Sequence, residues 1–153
     1  MPVKRVSACC LEELYRNWYN CVIRNLVQGN GRMKPVFWVG SSRQDLRGCP
    51  EDVQRLVGYA LFFAQEGDKH PRAKPLHGFH GASVLEVVDD YDGDTYRAVY
   101  TVRFAEAVYV LHVFQKKSSH GTDTSRHDIE LIERRLRSAQ EHYAELAERR
   151  RME

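Results

Sequence analysis

The sequence predicts an α+β fold, and three observations carry that prediction. Tyr96–Phe104 and Ala107–Lys116 are rich in β-branched and aromatic residues and flank a short Ala105-Glu106 break, the pattern of a β-hairpin. Ser83–Asp89 is a similar run, joined to the hairpin through Tyr91-Asp92-Gly93-Asp94, whose central Asp92-Gly93 is a strong tight-turn signal. On either side of this three-stranded antiparallel sheet, apolar residues recur at helical spacing.

The elements follow in order. Leu11, Leu14, Tyr15, Trp18, Val22 and Leu26 mark an amphipathic helix over Leu11–Val27, ended by Gly29-Asn30-Gly31. Val36–Val39 reads as a short strand, and Ser42 with Asp45 as the capped start of a short helical turn. Pro50, Glu51 and Asp52 open a helix whose dipole favours the two acids, with an apolar stripe of Val53, Leu56, Val57, Ala60, Leu61 and Ala64, and Gly67 stops it. Asp68–Ala82 reads as a loop, punctuated by Pro71, Pro75, Gly78 and Gly81. A polar link, Ser118–Thr124, leads into a long C-terminal helix capped by Thr124 or Ser125. Its stripe of Ile129, Ile132, Leu136, Ala139, Tyr143 and Leu146 requires a partner surface. Residues 1–32 thus form a helical N-terminal extension and 33–153 the main domain, with Met33 an alternative start from which the chain is expected to fold.

With 153 residues, 42% hydrophobic and 29% charged, the chain suits a single domain. Neither a membrane-spanning apolar run nor a secretory pattern is present, so a cytoplasmic protein with no membrane partner is expected. Cys9, Cys10, Cys21 and Cys49 lack zinc or redox spacing, and His77 and His80 have no matching ligand pair, so neither metal nor cofactor is expected. Residues 1–32 carry five basic and two acidic side chains, leaving 18 basic and 19 acidic elsewhere. An anion site in the main domain must therefore be a local cluster on a neutral body.

The hairpins bring such a cluster together. A two-residue turn at Asp92-Gly93 sets Glu86 opposite Val99, and a loop of two or four residues in the second hairpin sets Val99 opposite His112, Arg97 opposite Phe114 and Thr101 opposite Val110. Alternation assigns Tyr96, Ala98, Tyr100, Tyr109, Leu111 and Val113 to a core face. Glu86, Arg97, Arg103, His112, Phe114 and Lys116 fall on the other. Such a face offers acid–base groups and a guanidinium able to hold two phosphate oxygens at once. Lys74, His77 and His80 on the preceding loop add candidates for anion contact. The plainer reading makes Glu86 and Arg97 a cross-strand ion pair, His112 a packed histidine, and the basic residues a solvated surface.

Lys74-Pro-Leu-His-Gly-Phe before the sheet, Leu85-Glu86, Tyr96-Arg97 with Tyr100, and Leu111-His112-Val113-Phe114-Gln115-Lys116-Lys117 followed by Thr122–Ile129 carry a resemblance. From Met33 onward the chain resembles the phage-derived, HigB-like branch of the RelE/ParE toxin superfamily. The resemblance implies a small RelE-like domain, the toxin of a type II toxin–antitoxin system, that cuts mRNA on the ribosome without a metal and is held by a cognate helix-turn-helix antitoxin. Together with the register of the hairpins, this makes Glu86, Arg97, His112 and Lys116 the catalytic candidates, and Lys74, His77, Arg103 and Lys117 the RNA-binding candidates. Where the superfamily often has Arg or Lys two residues after the strand glutamate, this chain has Val88, and Asp89–Asp94 is acidic. Two other roles suit the same fold: a ParE-like, gyrase-binding toxin without RNase activity, and an inactive phage-derived binding protein.

Overall fold

The computed structural model describes residues 3–6, 33–79, 83–116 and 124–153. Among these, six strands form one sheet in the order β1-β2-β6-β5-β4-β3. They are β1 (Val3–Val6), β2 (Val36–Val39), β3 (Ala73–Pro75), β4 (Val84–Tyr91), β5 (Asp94–Thr101) and β6 (Val108–Lys116). The described helices are α1 (Ser42–Arg47), α2 (Glu51–Gln65) and α3 (Arg126–Met152).

The sheet is larger than the three strands expected. β3 forms inside the stretch read as a loop and pairs antiparallel with β4, Lys74 opposite Glu86. Ala73-Lys74-Pro75 is too short for a pattern signal, and proline is tolerated because β3 is an edge. β2 joins parallel to β6, Val36 opposite Val108, a long-range pairing that local sequence does not encode. The described part of the N-terminal segment is strand β1, antiparallel to β2 with Val3 opposite Val39. A ladder thus crosses the expected boundary at residue 32. The helix expected over Leu11–Val27 lies outside the described residues.

Both faces of the sheet are covered. Leu46 of α1 and Val53, Val57, Leu61 and Ala64 of α2 pack on Val36, Trp38, Leu85, Val87, Tyr100 and Val110. Ile132 and Ala139 of α3 pack on the opposite face with Phe37, Val39, Val84, Val99, Tyr109 and Leu111. The all-apolar β2 has four buried residues for this reason.

The Asp92-Gly93 turn behaves as expected. Both residues adopt positive φ, +50° and +83°, and Glu86 sits opposite Val99. In the second hairpin Arg97 faces Phe114 and Val99 faces His112, but Tyr100 pairs with Val110 and Thr101 with Tyr109, so Leu111 is an extra residue in a β-bulge. This corrects the expected Thr101–Val110 pair. Beyond the bulge every side chain of β6 changes face, so Tyr109 and Leu111 look towards α3 and Val110 joins Tyr100. The connection is also longer than the Ala105-Glu106 break, since β5 ends at Thr101 and β6 starts at Val108.

Helix boundaries follow local chemistry. Gly67, at φ +87°, ends the turn after α2. Ser125 caps α3, its Oγ accepting the Asp128 N–H at 3.2 Å. At α1 the N-cap is Ser41, one residue earlier than expected, because Ser42 is buried and donates to the Val110 carbonyl at 3.2 Å.

Candidate functional site

Three cross-strand rows form the candidate site on the α3 side of the sheet. The first is Lys74, Glu86, Val99 and His112, one residue each from β3, β4, β5 and β6. The second is Val88, Arg97 and Phe114, and the third Asp90, Thr95 and Lys116. Directly paired residues share a face. Lys74 is exposed, Glu86, Phe114 and Lys116 are half-buried, and Arg97 and His112 are buried.

Arg97 and Glu86 sit diagonally on neighbouring strands, with Arg97 Nη1 donating to Glu86 Oε2 at 3.0 Å. Nη1 also reaches Thr124 Oγ1 at 2.9 Å, just ahead of α3. Arg97 is 8% exposed, so the carboxylate beside its guanidinium offsets much of the cost of burying the charge.

His112 is held from both sides. Its Nε2 lies 2.9 Å from Asp128 Oδ1, and its Nδ1 lies 3.4 Å from Arg135 Nη1. A guanidinium only donates, so Nδ1 is the acceptor and the ring proton sits on Nε2, pointing at Asp128. The ring stacks on Phe114 with centroids 4.5 Å apart. Burial pushes the imidazole below its ordinary value and Arg135 adds to this, against the opposing pull of Asp128.

Arg135 continues the network. Nη1 donates to the Leu111 carbonyl in the bulge at 2.8 Å, Nη2 donates to Ser41 Oγ at 3.0 Å, and Ser41 Oγ donates to Asp45 Oδ2 at 2.8 Å. Asp128 also accepts from the Ser125 hydroxyl. One chain of polar contacts therefore ties α1, β6 and the first turns of α3.

Of the expected site residues, the sheet brings together Glu86, Arg97 and His112 and sets Lys74 and Lys116 beside them. Arg103 is not part of this group: it is exposed beyond the Thr101 end of β5, whereas Lys116 pairs at the Thr95 end. His77 is exposed past the end of β3, after Leu76, whose N–H bonds the Val84 carbonyl. Lys117 and His80 lie outside the described residues. The acidic turn adjoins the third row, where Thr95 Oγ1 donates to Asp90 Oδ1 at 2.7 Å, and Arg72 meets Asp89 at 3.1 Å.

Thr124, Asp128 and Arg135 were absent from the expected set. Asp128 had a signal, since Ser125 and Asp128 have capping-box spacing. Arg135 had a clearer one: a charged residue among Ile132, Leu136 and Ala139 on a buried stripe calls for a partner. Among the described residues, no group of acidic, histidine or cysteine side chains is arranged to hold a metal ion, and no helix is long and apolar enough to cross a membrane.

A family model, phage derived protein Gp49-like (DUF891), matches residues 44–137, more than half of the chain. The match spans every row of the candidate site and the buried Arg135. No curated protein and no solved structure matches the chain.

Proposed function

The chain belongs to the phage-derived Gp49-like protein family, within the RelE/HigB-like toxin superfamily, and from this premise we propose that it is a type II toxin of the HigB kind that cleaves ribosome-bound mRNA. Membership is consistent with a toxin role in a toxin–antitoxin system. The RNase step rests on one further observation, the Glu86–Arg97 pair on a sheet face flanked by Lys74 and Lys116.

Cleavage at a ribose 2′-hydroxyl needs a proton acceptor, a donor to the departing 5′-oxygen, and cations for the charge that grows on phosphorus. In this reading Glu86 accepts the proton and Arg97 exchanges Thr124 for phosphate oxygens. Lys116 supplies positive potential or the returning proton, and Lys74 holds the strand. His112 supports the floor beneath Phe114. The partner that restrains the toxin is a cognate helix-turn-helix antitoxin, and the working compartment is the cytoplasm.

A gyrase-binding toxin is the second reading. The acidic turn beside the third row favours it, because a carboxylate cluster repels a phosphate backbone and a protein-binding surface needs no acid–base pair.

Transcript-end mapping in cells expressing wild type, Arg97→Lys, Glu86→Gln and Lys116→Ala separates the two. The RNase reading expects new transcript ends with wild type and about a hundredfold fewer with Arg97→Lys or Glu86→Gln, the size of one lost transition-state contact. Growth arrest without new ends in wild type supports gyrase binding.

A further inference from the structure

We infer that Asp128 and Arg135 are positioning residues of this site: together they hold His112 as the tautomer protonated on Nε2, with its ring stacked on Phe114, so that His112 exchanges no proton with substrate. The catalytic part of this inference rests on the RNase reading. The tautomer does not.

Three observations carry it. Both ring nitrogens of His112 are engaged, Nε2 by Asp128 at 2.9 Å and Nδ1 by Arg135 at 3.4 Å, on a residue that is 8% exposed. A general base or acid needs a nitrogen within hydrogen-bond reach of substrate, and here neither is free to offer one. Arg135 is itself fixed by the Leu111 carbonyl and Ser41, so it cannot swing away without breaking two further bonds. Finally, Asp128 is bound at its other oxygen by Ser125, which makes its carboxylate part of the helix cap.

The charged groups facing His112 are Asp128 and Arg135 from α3, with Asp45 of α1 acting through Ser41. The arrangement supports the neutral ring. A proton on Nδ1 would face the Arg135 guanidinium, at a cost that Asp128 only partly offsets. The ring therefore serves as a spacer, carrying the position of α3 to Phe114 and so to Arg97 in the same row.

The test is nitrogen-15 NMR of the His112 ring in the full chain, with cleavage measured against pH on ribosomal complexes. Wild type is expected to show one tautomer, protonated on Nε2, throughout neutral pH. Asp128→Asn keeps an acceptor oxygen and should preserve that tautomer, whereas Asp128→Ala should give a mixture. In both variants the Asp128 backbone N–H still meets the cap. His112→Gln retains a donor for Asp128 but cannot titrate, so it should leave the shape of the pH–rate profile unchanged. A wild-type ring protonated on Nδ1, an Asp128→Ala ring as fully biased as wild type, or a profile limb that vanishes in His112→Gln would each overturn the inference. If wild type cleaves no RNA, the RNase reading fails, and the tautomer in wild type and Asp128→Ala alone decides the positioning claim.

Discussion

Gly40 and Arg135 meet where residue 40 would carry a Cβ, since an atom built there stands 2.9 Å from both Nε and Nη2 of the guanidinium. Gly40 also holds φ at +60°, a conformation that glycine adopts without steric cost. These two facts make the end of β2 a passage through which Arg135 reaches Ser41.

Gly40→Ala should therefore cost about 1–3 kcal/mol, from overpacking and left-handed backbone together. Urea unfolding gives the value. In a double-mutant cycle with Arg135→Ala, the cost of the alanine should shrink, because the atoms that it meets are gone. Strict additivity would assign the loss to the backbone alone.

Arg97→Ala is expected to destabilise the fold by about 3–5 kcal/mol, because it strands the half-buried Glu86 carboxylate without its charge partner. Adding Glu86→Gln should recover a substantial part of that loss. The thermal midpoints of the single and double variants measure it, and a double variant no more stable than Arg97→Ala contradicts the pairing argument.

Acid should weaken the protein through its histidines. His112 and His142 are both held below the ordinary 6.5, chiefly by burial, with His142 Nδ1 2.9 Å from the Tyr109 hydroxyl. The unfolded chain then binds more protons than the folded one as pH falls below 6.5, so stability is full above that point and declines towards the folded values. Melting curves at pH 7.5 and 5.5 should show the drop, and His112→Gln with His142→Gln should flatten it. An equal drop in the double variant would place the effect on other groups.

A chain beginning at Met33 should fold, since β2 keeps its parallel partner β6, and should be weaker, since β2 loses β1. Each ladder bond lost costs about 1 kcal/mol. The bared edge of β2 should also promote self-association, visible by sedimentation. An unfolded product would make residues 1–32 integral to the domain.

Much of the sheet could be read from residues 83–116, because Asp92-Gly93 strongly favours a two-residue turn, which sets the pairing of Glu86 with Val99 and Arg97 with Val88. The bulge at Leu111 could not: Val108–Leu111 alternates valine with tyrosine and leucine, large side chains that suit a buried position on either face, leaving alternation nothing to distinguish. β3 and the parallel pairing of β2 were hidden for related reasons, one being a three-residue edge and the other depending on a strand far along the chain. In the site, Glu86, Arg97 and His112 are visible from register, while Thr124 comes from the link that follows the sheet and Asp128 and Arg135 from within α3. Their convergence needs the angle at which α3 crosses the sheet, and no spacing encodes it.

The parallel pairing of β2 with β6 has a kinetic consequence. Val36 and Val108 are far apart in the chain, whereas Glu86, Arg97 and Phe114 lie in hairpins whose strands are close in sequence. Closing the long loop has an entropic cost that local hairpins avoid, so the rate-limiting step should already contain β4, β5 and the distal half of β6. Truncations such as Val99→Ala should then slow folding, while Val36→Ala should chiefly speed unfolding. The reverse pattern in stopped-flow measurements would put the nucleus at β2.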